Sequence, residues 1–220
     1  MIIPEQTENE FDNFFKQLSY SRIRDEVGEN PKFANADYIN KIEKIIIELK
    51  VLYKEHFPEG GVIDSLRALT IKPKTIDSKG YGQYTFTFPD KNREGRNDNF
   101  EEPLRRSLKK ANKQLKETKN FYFPDTTSSG FVVIAQTGLS SLSPEITAAL
   151  VKKILDNEFR SIDGVLICTP HYQTKNPVTQ EINPECVSVT KDAYPKLRNQ
   201  SIALANKWIQ FFNNNGHTRT

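Results

Sequence analysis

Residues 35–52 read NADYINKIEKIIIELKVL. The run Ile45-Ile46-Ile47 favours a strand, because β-branched side chains lose rotamer freedom in a helix and pack well on a pleated surface. The sequence therefore predicts a β-hairpin: a short strand around Ala36 to Asn40, a polar turn near Lys41 to Lys44, and a strand from Ile45 to Leu52. Strand side chains alternate faces, so Glu48 and Lys50 project to one side while Leu49 points into the core. The hairpin returns Asp37 to the neighbourhood of Glu48. Two carboxylates converging at one strand end form a hard-oxygen site suited to Mg²⁺ or Mn²⁺, with the backbone carbonyl of Leu49 as a further ligand. Such a cation polarises a phosphate oxygen and helps to generate hydroxide from water. Lys50 is then placed to orient that water or to stabilise charge on a phosphorane-like transition state.

An acid followed two positions later by lysine is common, and Asp77-Ser78-Lys79 and Glu117-Thr118-Lys119 match it too. The first lies in a polar, Gly-flanked stretch. The second ends a predicted helix, where side chains two apart point in different directions. Only Glu48-Leu49-Lys50 ends an apolar β run able to fix both side chains.

Before the hairpin, Phe11, Phe14, Phe15 and Leu18 recur at helical spacing, which predicts an opening amphipathic helix over 8–24. Residues 28–35 are turn-rich. After it, Val62 to Ile71 is ambiguous between helix and strand, Tyr81 to Phe88 alternates like a strand, and 89–100 reads as a charged loop. The clearest helix is 101–119, with Leu104, Leu108, Ala111 and Leu115 in a stripe. A strand at Phe131 to Gln136, a helix opening at Ser143-Pro144-Glu145 and running to Phe159, and a strand at Gly164 to Thr169 imply a parallel strand–helix–strand unit. A last helix spans about Pro195 to Phe212. The expectation is an α/β fold with a mixed sheet, read as one domain over 1–220. Its core covers about 8–170, with an insertion at about 53–100 and a helical extension at about 190–214.

The chain has 220 residues and a formal net charge of +3, which permits nucleic-acid binding without demanding it. No apolar run approaches the length of a membrane span, and the acidic start MIIPEQTENEFDNF does not resemble a signal peptide. Two cysteines, Cys168 and Cys186, and three scattered histidines offer no zinc spacing. Cys168, within GVLICTP, reads as a buried strand residue. A soluble, cytoplasmic protein is expected. There is no Walker loop, no Rossmann glycine fingerprint and no GxSxG elbow. His171, Ser140, Ser141 and Asp163 read as surface, loop or turn chemistry, and Trp208 as packing or a partner interface.

The stretch Asn35 to Lys50 resembles the core motif of the PD-(D/E)XK, or restriction-endonuclease-like, nuclease superfamily. The order helix, β-hairpin, helix, strand resembles that core as well. The resemblance implies metal binding by Asp37 and Glu48 and catalytic assistance by Lys50. It also implies that Gln114, on the helix after the motif, faces the site, and that Glu10 on the first helix lies near the metal. Two features depart from the pattern. Ala36, not proline, precedes Asp37, and about fifty residues separate Lys50 from the next clear helix, long for this core.

Helix 101–119 also carries Arg105, Arg106, Lys109, Lys110, Lys113 and Lys116 away from its apolar stripe. Its functional reading is a phosphate-contacting surface; its bland reading is a solvated face. Lysines and arginines at 72–96, with Tyr81 and Tyr84 for stacking, extend the positive charge. The expected function is a Mg²⁺- or Mn²⁺-dependent nuclease, an endonuclease acting on DNA in restriction, repair or defence, with a homodimer as a further expectation. One rival is a catalytically inactive nucleic-acid-binding or structural module on the same fold. The other is a small-molecule-binding α/β domain built on the unit from Phe131 to Thr169.

Overall fold

The computed structural model describes residues 4–28, 31–52, 70–76, 82–87, 98–137, 144–175, 182–191 and 195–214. The isoleucine run lies in the strand expected of it, β3 (Ile45–Leu52), preceded by β2 (Tyr38–Asn40). Upstream lie α1 (Pro4–Gln17), β1 (Ser21–Arg22) and α2 (Ile23–Val27). Downstream come β4 (Thr70–Ile76), β5 (Gly82–Thr87), α3 (Asp98–Tyr122), β6 (Ser129–Gln136), α4 (Pro144–Asn157), β7 (Gly164–Lys175), β8 (Ile182–Thr190) and α5 (Pro195–Asn214).

Six strands form one mixed sheet in the order β1-β2-β3-β6-β7-β8. The three central strands β3, β6 and β7 run parallel, and the outer pairings are antiparallel. β4 and β5 pair antiparallel as a separate hairpin within the expected insertion.

Side-chain alternation then builds two cores. Ile39, Ile46, Val132 and Ile134 pack with Leu104, Leu108, Ala111 and Leu115 of α3 and with Val151 and Ile154 of α4. The opposite face carries Tyr38, Ile45, Ile47, Phe131 and Val133 against Phe11, Phe14 and Phe15 of α1 and Leu204 and Trp208 of α5. The sheet is therefore covered on both faces, which is why β6 reads as the unbroken apolar run FVVIA. Each large apolar side chain buried this way contributes about 1.5–3 kcal/mol. Cys168 is buried, as its sequence context suggests. Its register partner is Cys186, both are free thiols, and their Sγ atoms lie 3.1 Å apart.

Several boundaries differ from expectation. The opening helix stops at Gln17 rather than continuing to 24. Ser19 adopts a left-handed conformation (φ 62°), and Tyr20 N–H folds back onto Phe15 O at 3.0 Å. This turn buries Tyr20 and frees Ser21 and Arg22 to pair with β2. α3 is longer than expected at both ends, and Pro103 sits inside it, near its start. β7 runs six residues past Thr169, to Lys175. β8 is not anticipated by the sequence, because Pro184 interrupts its alternating pattern; as an edge strand it tolerates a residue without an N–H. Most of Val62 to Ile71 and of 89–100, and the triplet Asp77 to Lys79, lie outside the described residues. Trp208 is core packing: it stacks on Phe11 with ring centroids 6.0 Å apart. Among the described residues no helix is long and apolar enough to cross a membrane.

Candidate functional site

The β2–β3 register pairs Tyr38 with Ile47 and Ile39 with Ile46. Glu48 shares the face of Ile46 by strand alternation, and Asp37, just before β2, reaches the Leu49 amide beside it through its Oδ2. That face is the one that α3 covers, since Ile39 and Ile46 also belong to it.

Main-chain contacts fix Asp37 firmly. Its N–H donates to Ile47 O at 3.1 Å, and its carbonyl accepts from Ile23 N–H at 2.9 Å. Where the ladder would continue, its side chain takes over: Oδ2 accepts from Leu49 N–H at 2.7 Å. Lys44 O and Leu52 O accept from Ser129 and Thr137 on the β6 side. The odd-numbered main-chain groups of β3 therefore turn the other way, and the Leu49 carbonyl opens toward Asp37.

Glu48 is only 1% exposed. Lys50 Nζ donates to its Oε1, whereas Oε2 is buried without a hydrogen-bond partner among the described residues. Loss of hydration pushes the Glu48 carboxyl up to about 8, and the nearby Asp37 charge adds to the rise; Lys50 opposes it without cancelling it. The Asp37 carboxyl is also raised, chiefly by burial, while the Leu49 N–H and Lys50 pull it back. A buried carboxyl pair of this kind favours a proton or a cation between its members.

Lys50 and Gln114 are brought together. Lys50 Nζ donates to Gln114 Oε1 at 3.1 Å, and Gln114 Nε2 donates to Asn35 O at 2.9 Å. Two further α3 side chains hold the same segment. Ala34 N–H donates to Glu117 Oε2 at 2.5 Å, and Ala36 N–H to Thr118 Oγ1 at 2.9 Å. Residues 33–37 thus form a strap held against α3 that ends on Asp37. Thr118 extends the apolar stripe by one turn (108, 111, 115, 118), so the sequence carries a signal for its burial but none for its partner.

Glu10 is half-buried and its Oε1 accepts from Gln6 Nε2 at 3.4 Å. Glu8, also on α1, reaches Asp37 through its charge. The two lie about 200° apart around the helix axis, so they occupy different sides of α1. Arg22 also reaches Asp37 electrostatically; its Nε pairs with Asp12 at 2.8 Å, and Asp12 accepts from the Tyr38 hydroxyl at 2.5 Å. Glu8, Asp12 and Arg22 escape a reading of the sequence because nothing in one dimension links α1 to the start of β2.

The basic helix divides in two. Arg105 is held by Glu101, Glu102 and Glu158, and Arg106 donates to Glu102 Oε1 at 3.0 Å, so acids on the spot compensate these arginines. Lys113 lies 3.8 Å from Glu117. Lys109, Lys110 and Lys116 are exposed, and the charge of Lys110 is felt by Glu48. The side chain of His171 lies outside the described residues.

Among the described residues no cluster of three or more His, Cys, Asp and Glu side chains is gathered for a metal ion. The carboxylate set is the pair Asp37 and Glu48, with the Leu49 carbonyl as its main-chain complement. The unpartnered Glu48 Oε2 fits this set to a divalent cation, which would take the place of the proton that burial keeps on the carboxyl. Magnesium is ordinarily bound by one or two carboxylates, with water and substrate phosphate completing its shell. Comparison of the chain with family models, with curated proteins and with solved structures finds no match.

Proposed function

We propose that this protein is a divalent-metal-dependent phosphodiesterase, an endonuclease acting on DNA and built like the PD-(D/E)XK nucleases. The observation that carries the reading is the hold of Asp37 Oδ2 on the Leu49 amide next to the buried Glu48, with Lys50 bonded to both Glu48 and Gln114. The order α1, β2–β3 hairpin, α3, β6 supports it too.

In this reading Asp37, Glu48 and the Leu49 carbonyl hold Mg²⁺ or Mn²⁺, which supplies Lewis-acid polarisation of the phosphate. Glu48 binds as the carboxylate, so its proton leaves when the cation arrives. Gln114 fixes the Lys50 side chain through one hydrogen bond and is itself fixed by Asn35 O. Lys50 therefore meets the substrate with its ammonium already oriented, and compensates the negative charge that grows on phosphorus-bound oxygen. Lys109, Lys110, Lys113 and Lys116 contribute salt-dependent attraction for the phosphate backbone.

Supercoiled plasmid incubated with purified protein and Mg²⁺ or Mn²⁺ tests the proposal. Metal-dependent nicking is expected, with Asp37→Ala and Lys50→Ala each losing about a hundredfold or more. Cleavage that ignores metal or survives both substitutions would refute it. The absence of a three-membered ligand cluster among the described residues favours a second reading, a nucleic-acid-binding module on the same framework without activity. Calorimetric titration with Mn²⁺ separates the two: uptake lost in Asp37→Ala supports the enzyme, and no uptake supports the module.

A further inference from the structure

Phe121 is 57% exposed, which is unusual for an aromatic residue on a helix whose other apolar side chains are largely buried. It is nonetheless ordered by a neighbour. Phe33, at the head of the strap, stacks on it with ring centroids 4.5 Å apart and planes 18° from parallel. Tyr122 meets the edge of Phe121, with centroids 5.0 Å apart. The pair therefore presents a flat, supported aromatic surface to solvent.

Its position on α3 matters as much as its exposure. Lys110, Gln114 and Phe121 follow one another four and seven residues apart, so they lie on one stripe of the helix. At 1.5 Å per residue, Phe121 stands about 10 Å from Gln114, and Lys110 about 6 Å from it on the other side. Ten ångströms is about three stacked nucleotides at 3.4 Å each. The strap repeats the connection, since Phe33 lies four residues before Asp37 along a segment pinned to α3 by Glu117, Thr118 and Gln114. Lys32, next to Phe33 in the chain, is exposed, as are Lys110 and Lys113 along α3, and these lysines supply the charge that complements a phosphodiester backbone.

We propose that Phe121, backed by Phe33, is a stacking platform for an unpaired base, and that the chain acts on nucleic acid with a single-stranded segment beside the cleaved bond. This rests on the reading of residues 35–50 as a phosphodiesterase centre, and it adds the strandedness of the substrate. A paired base offers its face only to its neighbours in the stack, whereas an unpaired one is free to leave it. Aromatic stacking of this kind tolerates any base, so the platform selects for structure rather than sequence.

The test uses the full chain in EDTA at fixed salt, with fluorescence anisotropy on a labelled oligothymidylate and on a blunt duplex of equal length. Phe121→Ala is expected to weaken single-strand binding about tenfold and leave duplex binding unchanged, and Phe121→Trp to restore it. Equal single-strand affinity in wild type and Phe121→Ala would overturn the platform, as would an equal loss on both ligands. So would sedimentation showing that wild type self-associates and Phe121→Ala does not, since the surface would then join two copies of the chain. Cleavage of the same oligonucleotides with Mn²⁺ keeps the two proposals apart. Phe121-dependent single-strand affinity without cleavage rejects the hydrolytic reading alone. Cleavage with no dependence on Phe121 rejects the platform alone.

Discussion

Glu48 puts a carboxyl group where water does not reach it, and the consequences are thermodynamic before they are chemical. Its proton is held in the folded chain up to about pH 8, against an ordinary value of 4.5. The folded state thus binds a proton that the unfolded state has already released across this window. Stability is fully present below the lower value and is lost as pH rises through the upper one. In EDTA, the urea midpoint is expected to fall between about pH 5 and pH 8, and Glu48→Gln to flatten that slope and stabilise the chain near pH 8 by about 4 kcal/mol at most. A slope that survives Glu48→Gln would place the titrating group elsewhere. Mg²⁺ or Mn²⁺ should act oppositely, raising the midpoint most at the alkaline end, where no proton competes with the cation.

The strap of residues 33–37 is the element that turns a hairpin into a site. Its hydrogen bonds to α3 set the height at which Asp37 enters β2, and the Ala36 N–H to Thr118 bond is buried. Thr118→Val keeps the shape and removes the acceptor, which is expected to cost about 1–3 kcal/mol in urea unfolding. Thr118→Ser should recover most of it, and Mn²⁺ affinity measured by calorimetry should follow the same order. Affinity unchanged in a destabilised Thr118→Val would mean that the strap does not position Asp37. None of this is legible in the sequence, because Ala36 and Thr118 stand 82 residues apart and neither belongs to a recognised pattern. The strands around it are legible for a local reason: Ile45 to Ile47 and Phe131 to Ala135 carry their β preference residue by residue. α1 reads too long in the sequence because helical spacing continues through Leu18 to Tyr20, whereas the turn at Ser19 is imposed by pairing of Ser21 and Arg22 with a strand that lies later in the chain. The Asp37–Glu48–Lys50 grouping is visible because a hairpin and strand alternation are enough to generate it. Gln114 comes through the resemblance, and Glu8, Arg22 and Phe33 require the tertiary fold.

At the scale of the molecule, the sheet is covered by α3 and α4 on one side and by α1 and α5 on the other, so the first and last helices meet over a common core. Trp208, 1% exposed and stacked on Phe11, ties them together. Trp208→Ala is expected to destabilise the protein by about 3–5 kcal/mol, measured by denaturant unfolding, through a cavity that its neighbours fill only partly. A loss below about 1 kcal/mol would show α5 to be an accessory rather than part of this core. The margins of the sheet have a different bearing. One is closed by the two-residue strand Ser21–Arg22, too short to template a neighbour, and the other carries Pro184, which has no amide proton to donate. Among the described residues, such borders discourage edge-to-edge growth of this six-stranded sheet, so copies crowded together have little opportunity to extend its ladder.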